Sequence, residues 1–156
     1  MPAPDATLDL VIAKMAQVAT DELTSQGLKK AYEKVPEAIS IDCPVMLFFM
    51  ALEGLEWKNE SVGIIPTQGA FELQHINMIL LVARRSEAIE VTEYKMRQWA
   101  RWVQIAFKKH YQLGGLCMVL TITKVVPRPV KVGTHEFIAL VFKVEVLTKV
   151  EFELSS

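Results

Sequence analysis

Near the start of the chain, Leu8, Val11, Ile12, Met15, Val18 and Ala19 recur at helical spacing. The stripe predicts an amphipathic helix, with Asp5 or Thr7 placed to cap it. Gly27 breaks the pattern. The segment from Leu28 to Val35 reads equally as a helix end or a strand, and Pro36 interrupts the chain after it. Val45 to Leu52 is apolar at nearly every position, the signature of a central strand covered on both faces. Glu53 to Gly69 mixes glycine, proline, Asn59 and charges, which predicts a long exposed loop.

Phe71 to Arg84 predicts a third strand, alternating at Phe71, Leu73 and His75 and then turning almost wholly apolar. A long helix is expected from Thr92 to Leu113, with Met96, Trp99, Val103, Ala106, Phe107 and His110 on one stripe. Gly114–Gly115 supplies its stop. Leu116 to Val126 reads as a strand, and Pro127 to Gly133 as its connection to the last one. From Ile138 to Leu154 every second residue is apolar or Thr, while Lys143, Glu145, Lys149, Glu151 and Glu153 occupy the other face. These elements predict one α+β domain in the order α-β-β-β-α-β-β. Its mainly antiparallel sheet carries an N-terminal helix and one long helix.

The last strand has a consequence for assembly. The seventeen residues from Ile138 to Leu154 extend about 55 Å, whereas a domain of this length is roughly 40 Å across. Either the strand bends sharply, or its end leaves the domain with Val150, Phe152 and Leu154 needing cover. An uncovered apolar strand end invites pairing with another chain, so a neighbouring subunit is expected there.

Composition points the same way. Of the 156 residues, 51% are hydrophobic and 22% charged, with a mean hydropathy of +0.25. That apolar surplus favours contacts between subunits over a bare surface. No apolar run reaches the roughly 18–20 residues of a membrane span. The N-terminal MPAPDATLDL lacks the basic flank and apolar core of a signal peptide, so synthesis in the cytoplasm is expected. The net charge is −1, from 17 basic and 18 acidic residues, without the basic excess of a free nucleic-acid binder.

Residues able to do chemistry do not converge along the sequence. His75, His110 and His135 fall on three elements without metal-ligand spacing, and Cys43 and Cys117 lie in apolar runs that suit reduced core thiols. A nucleophile–base pair of Cys117 with His75 or His135 is disfavoured, because an apolar strand opposes the thiolate. Glu87 and Glu90 precede the long helix, where acids suit its positive end. Gly114–Gly115 lacks the rest of a phosphate-binding loop. Arg97, Arg101, Lys108 and Lys109, near Trp99 and Trp102, offer a nucleic-acid surface as one option and a solvated helix face as the other. The expectation is a non-enzymatic protein without cofactor or metal.

The layout resembles the tail-terminator, or tail-completion, proteins of long-tailed bacteriophages. The resemblance is carried, in order, by Lys30–Ala31–Tyr32–Glu33–Lys34–Val35–Pro36–Glu37–Ala38–Ile39, an apolar strand opening at Pro44, a long charged loop, the segment HINMILLVARR from His75 to Arg85, a long helix, Gly114–Gly115 and two closing strands. It spans nearly the whole chain. It implies a structural virion subunit that forms a homo-oligomeric ring, typically a hexamer. Such a ring caps the tail tube, stops its polymerisation and joins the tail to the neck or connector on the head side. DNA would pass as a transient lumen contact. On this resemblance Val150, Phe152 and Leu154 are candidates for the subunit contact. Trp57, Asn59, Glu60, Arg128 and Lys131 are candidates for contact with tube or neck. Another neck, head-closure or tail-tube subunit is the near alternative, and a small-molecule or peptide-binding module the distant one.

Overall fold

The computed structural model describes residues 7–59, 69–86 and 93–151. The first helix, α1 (Leu8–Leu23), starts where the Thr7 hydroxyl accepts a hydrogen bond from the Leu10 amide at 3.4 Å. Of the two expected caps it is Thr7 that acts; Asp5 lies outside the described residues. Val11, Ile12, Met15, Ala16, Val18, Ala19 and Leu23 form its buried face, close to the predicted stripe. A short 3-10 turn and Gly27, at φ 114°, end it.

Strand β1 (Lys30–Tyr32) resolves the ambiguous segment: it runs parallel to β2 (Val45–Asn59), with Lys30 opposite Val45. The remaining strands, β3 (Gly69–Arg84), β4 (Val119–Val132) and β5 (His135–Glu151), pair antiparallel in one sheet of order β1-β2-β3-β5-β4. The predicted α+β class and element order are those observed.

Two cores hold the sheet. On one face, α1 and α2 (Glu93–Lys109) cover Met46, Phe48, Ile76, Met78, Leu80, Phe142, Val144 and Val146. On the other face, one end is closed by the loop of residues 33–44, whose Ile39 is buried with Val45, Leu47, Ile79, Leu81, Phe137, Ala139 and Val141. Arg84 fixes this loop by donating from Nη2 to the Ile39 carbonyl at 3.0 Å. The even residues of β5 serve the helix side, and Phe137, Ala139 and Val141 serve the loop side.

Several boundaries differ from expectation. The strand opening at Val45 is not covered throughout: Val45–Phe48 are buried, but Leu52 is fully exposed. Residues 51–54 form a bulge between the pairs Met50↔Ile76 and Leu55↔Gln74, where β3 has His75 alone. Gly54 sits in that bulge at φ 68°, and the strand then resumes to Asn59 where a loop was expected. Pro127 and Pro129 lie inside β4, not in a connection. β4 is the outermost strand on its side, and an edge strand tolerates proline where the missing N–H would face solvent. The connection is a tight turn at Gly133–Thr134. Helix α2 stops at Lys109, short of the glycine pair, and Gly114 and Gly115 take positive φ in the following turn.

The end of β5 also departs from expectation. It neither bends away nor stands alone, since β3 pairs along its length from Arg84↔Phe137 to Gly69↔Glu151. Its other side is covered by β4 only as far as Val119↔Leu147, so that edge is unpaired by β4 from Thr148 to Glu151.

Helices α1 and α2 are joined by a charged clasp. His110 Nε2 lies 2.9 Å from Glu22 Oε1, and Lys109 Nζ lies 3.5 Å from Glu22 Oε2. The hydrogen bond with His110, helped by Lys109, holds the Glu22 carboxyl below its ordinary 4.5. A carboxyl whose folded pKa is depressed stabilises the fold above its unfolded pKa and loses that contribution as pH falls through the folded value. The difference in unfolding midpoint between the wild type and Glu22→Gln is therefore expected to shrink as pH is titrated below 4.5. A difference independent of pH would remove the clasp.

Gly133 combines φ 61° with a close neighbour: a Cβ there would meet the Glu37 carbonyl at 2.6 Å. At Gly54 the φ is also positive, but nothing lies within 4 Å. Both alanine variants carry backbone strain, and Gly133→Ala adds a clash with the covering loop. In urea unfolding, Gly133→Ala is expected to cost more than Gly54→Ala, by at least about 1 kcal/mol.

Candidate functional site

The reactive side chains are built into packing. Burial pushes the Cys117 thiol up to about 11, and its Sγ lies 3.6 Å from the Tyr111 carbonyl. Cys43 packs at the edge of the loop-side core. His110 belongs to the helix clasp. His75, on the sheet face beyond the covering loop, stands between two carboxylates: Nε2 is 3.2 Å from Glu56 Oε1 and Nδ1 is 3.9 Å from Glu145 Oε1. Beside it Lys143 Nζ donates to Asn77 Oδ1 at 2.9 Å. This polar cluster was not foreseen from sequence, because its members come from β2, β3 and β5. Its only sequence signal is the polar face of each strand.

No group of three or more potential metal ligands occurs among the described residues. No helix among them is long and apolar enough to cross a membrane. The tryptophans of α2 pack rather than stack outward. Trp99 is buried, and Trp102 meets it edge-on at a centroid distance of 5.0 Å. Among the nearby cations, Arg97 lies 3.7 Å from Glu93, one helical turn away, and Lys109 joins the clasp.

The candidate contact residues fall at two separate places. Trp57, 60% exposed, donates from Nε1 to Glu72 Oε2 at 2.7 Å. Glu72 is held in turn by Gln74 Nε2 at 2.8 Å. Through the register Trp57↔Glu72↔Thr148, this tryptophan shares its end of the sheet with the terminus of β5. Val150 lies in that terminus, paired with Ala70. Asn59 closes β2 and pairs with Ala70 on the other side of β3. Glu60, Phe152 and Leu154 lie outside the described residues.

Arg128 and Lys131 sit elsewhere. Arg128 is exposed on β4 opposite Ala139, and Lys131 is exposed opposite Glu136. Glu136 is bound by Arg85 Nη1 at 2.7 Å. Nine residues of β5 separate the level of Thr148 from that of Ala139, a rise of about 30 Å. The two sets of candidate tube or neck residues thus occupy opposite ends of the sheet. Sequence reasoning also missed Leu52, whose exposure follows from the bulge at Glu53–Gly54 and not from its apolar neighbourhood.

With its thiolate disfavoured, Cys117 in the folded protein is expected to resist iodoacetamide at pH 8 and to react promptly in urea. Mass spectrometry in a Cys43→Ser background checks this; labelling of the native thiol at the unfolded rate would contradict its burial. No protein-family model matches the chain, and no curated protein matches it.

Proposed function

We propose that this chain is a ring-forming structural subunit of a bacteriophage virion. In this reading it is a tail terminator that caps the tail tube, stops its polymerisation and joins the tail to the neck. The carrying observation is the separation of the two candidate contact sets by about 30 Å along β5 at opposite ends of one sheet. A subunit seated between a tube and a neck needs two such ends. Trp57, Asn59 and Glu60 would serve one partner, and Arg128 and Lys131 the other.

Further support comes from the order of segments behind the resemblance. Lys30–Ile39 supplies β1 and part of the loop that closes the second core. His75–Arg85 covers most of β3, and Gly114–Gly115 stands between α2 and the closing hairpin of β4 and β5. Val150 in β5, with Phe152 and Leu154 after it in sequence, would supply a subunit contact. Neighbours in a ring meet through two different patches, so the contact is heterologous and closes by rotation.

The reading predicts that the purified chain, or the chain on its tube partner, has the mass of a closed oligomer near six subunits. Phe152→Asp and truncation after Thr148 are expected to keep a cooperative unfolding transition while shifting the mass toward the monomer. Light scattering after size exclusion reads both. A mass unchanged in the two variants would sink the strand-end contact, and a wild type monomeric with and without the tube protein would sink the ring.

A further inference from the structure

A groove runs between α2 and the outermost strand β4. Phe107, Leu120, Ile122 and Phe142 give it an apolar floor, and Arg101 and Lys108 rim it on the helix side. Tyr111 and Val125, two of the large apolar side chains exposed on this molecule, also line it. An exposed apolar groove rimmed by polar groups marks an interaction surface. No acidic side chain lines the groove among the described residues.

Among the described residues, no strand pairs with the outer edge of β4, and the edge beside the groove is left open over a short window. The Leu120 amide points away from β5 and donates to the Tyr111 carbonyl at 2.6 Å, which closes the edge at that end. Pro127 and Pro129 remove the outward N–H groups at the other. Between these blocks lie Ile122 to Val126, the part of β4 that flanks the groove floor. Lys124 is exposed at this window, where it pairs with Lys143 in the register and borders the groove.

We infer that this window receives the segment Val150–Leu154 of a second copy of the chain, added as an edge strand. The inference rests on the ring reading and deepens it by naming where the strand end docks. The segment matches the window in length, at five residues, and contains no proline. Its alternation puts Val150, Phe152 and Leu154 on one side and Glu151 and Glu153 on the other. Edge pairing that directs the apolar side into the groove brings the acidic side toward Lys124 at its border. Main-chain bonds then give affinity and alternate side chains give register.

The occupant is a second copy and not the chain's own end, because of direction. The described part of β5 runs beside β3 to Glu151, four residues past its last pairing with β4 at Leu147, a further 13 Å or so from the groove. Two different patches meeting in this way make a head-to-tail contact, as a closed ring requires.

Val125→Pro tests the docking directly. It extends the outward proline series of Pro127 and Pro129, so β4 keeps its bonds to β5 while the open window loses a donor. Concentration-dependent light scattering is expected to show at least about a tenfold rise in the concentration at which oligomers dissociate, with the unfolding transition retained. Lys124→Glu is expected to raise it about two- to fivefold, and Glu151→Lys with Glu153→Lys is expected to reverse that loss. Oligomers unaffected by Val125→Pro and Lys124→Glu would overturn the docking site while leaving the ring standing. Unchanged oligomers that no longer retain the tube protein would assign the groove to that partner, which also overturns the inference. A wild type that never assembles would remove the ring reading, and this inference with it.

Discussion

The structure depends on one uninterrupted strand. β2, β3 and β5 each feed both cores, and β5 does so with Leu140, Phe142, Val144 and Val146 toward the helices and Phe137, Ala139 and Val141 toward the covering loop. Of the three, β5 alone carries no extra residue. Its neighbours β3 and β4 absorb the mismatches instead, with shifts between Leu81 and Ala83 and between Ile122 and Lys124. A one-residue slip in a strand turns its side chains to the opposite face. Slipping β5 would strip both cores at once and break its pairing on two sides. The bulges in β3 and β4 are the adjustments that let two amphipathic partners meet a strand that cannot shift.

The same constraint explains which parts of the fold were legible in the sequence. The stripes of α1 and α2 and the alternation of β5 are periodic over many residues, so pattern alone located them. Boundaries were harder wherever tertiary pairing overrode local chemistry. Glu53 and Gly54 look like the start of a loop, yet β3 continues past them and recruits Leu55–Asn59 back into the sheet. Pro127 and Pro129 look like a connection, yet an outer strand needs only one side of its backbone bonded. The glycine pair marked a real change of direction, but α2 had already stopped at Lys109.

The candidate contact surfaces were less legible, because they are defined by what pairing leaves open. The excessive length of β5 pointed to Val150 and its neighbours. That the end has β3 on one side and no β4 on the other depends on where β4 begins, which alternation does not encode. Trp57 and Arg128 were candidates on the resemblance alone; their placement at opposite ends follows from the antiparallel register. The groove beside α2 has no linear signature, since its floor joins Phe107 on the helix to Ile122 and Phe142 on two strands. The Glu56–His75 contact and the Lys143–Asn77 hydrogen bond likewise join distant positions, and they keep the uncovered part of the sheet polar.

In the proposed terminator role, the two ends of the sheet are what the chain offers its partners. The most direct measurement is the length distribution of tail tubes polymerised from the cognate tube protein with and without this chain, read by electron microscopy. A terminator is expected to yield shorter tubes that carry a ring of this chain at one end only. Tubes of unchanged length without bound chain would contradict the terminator role.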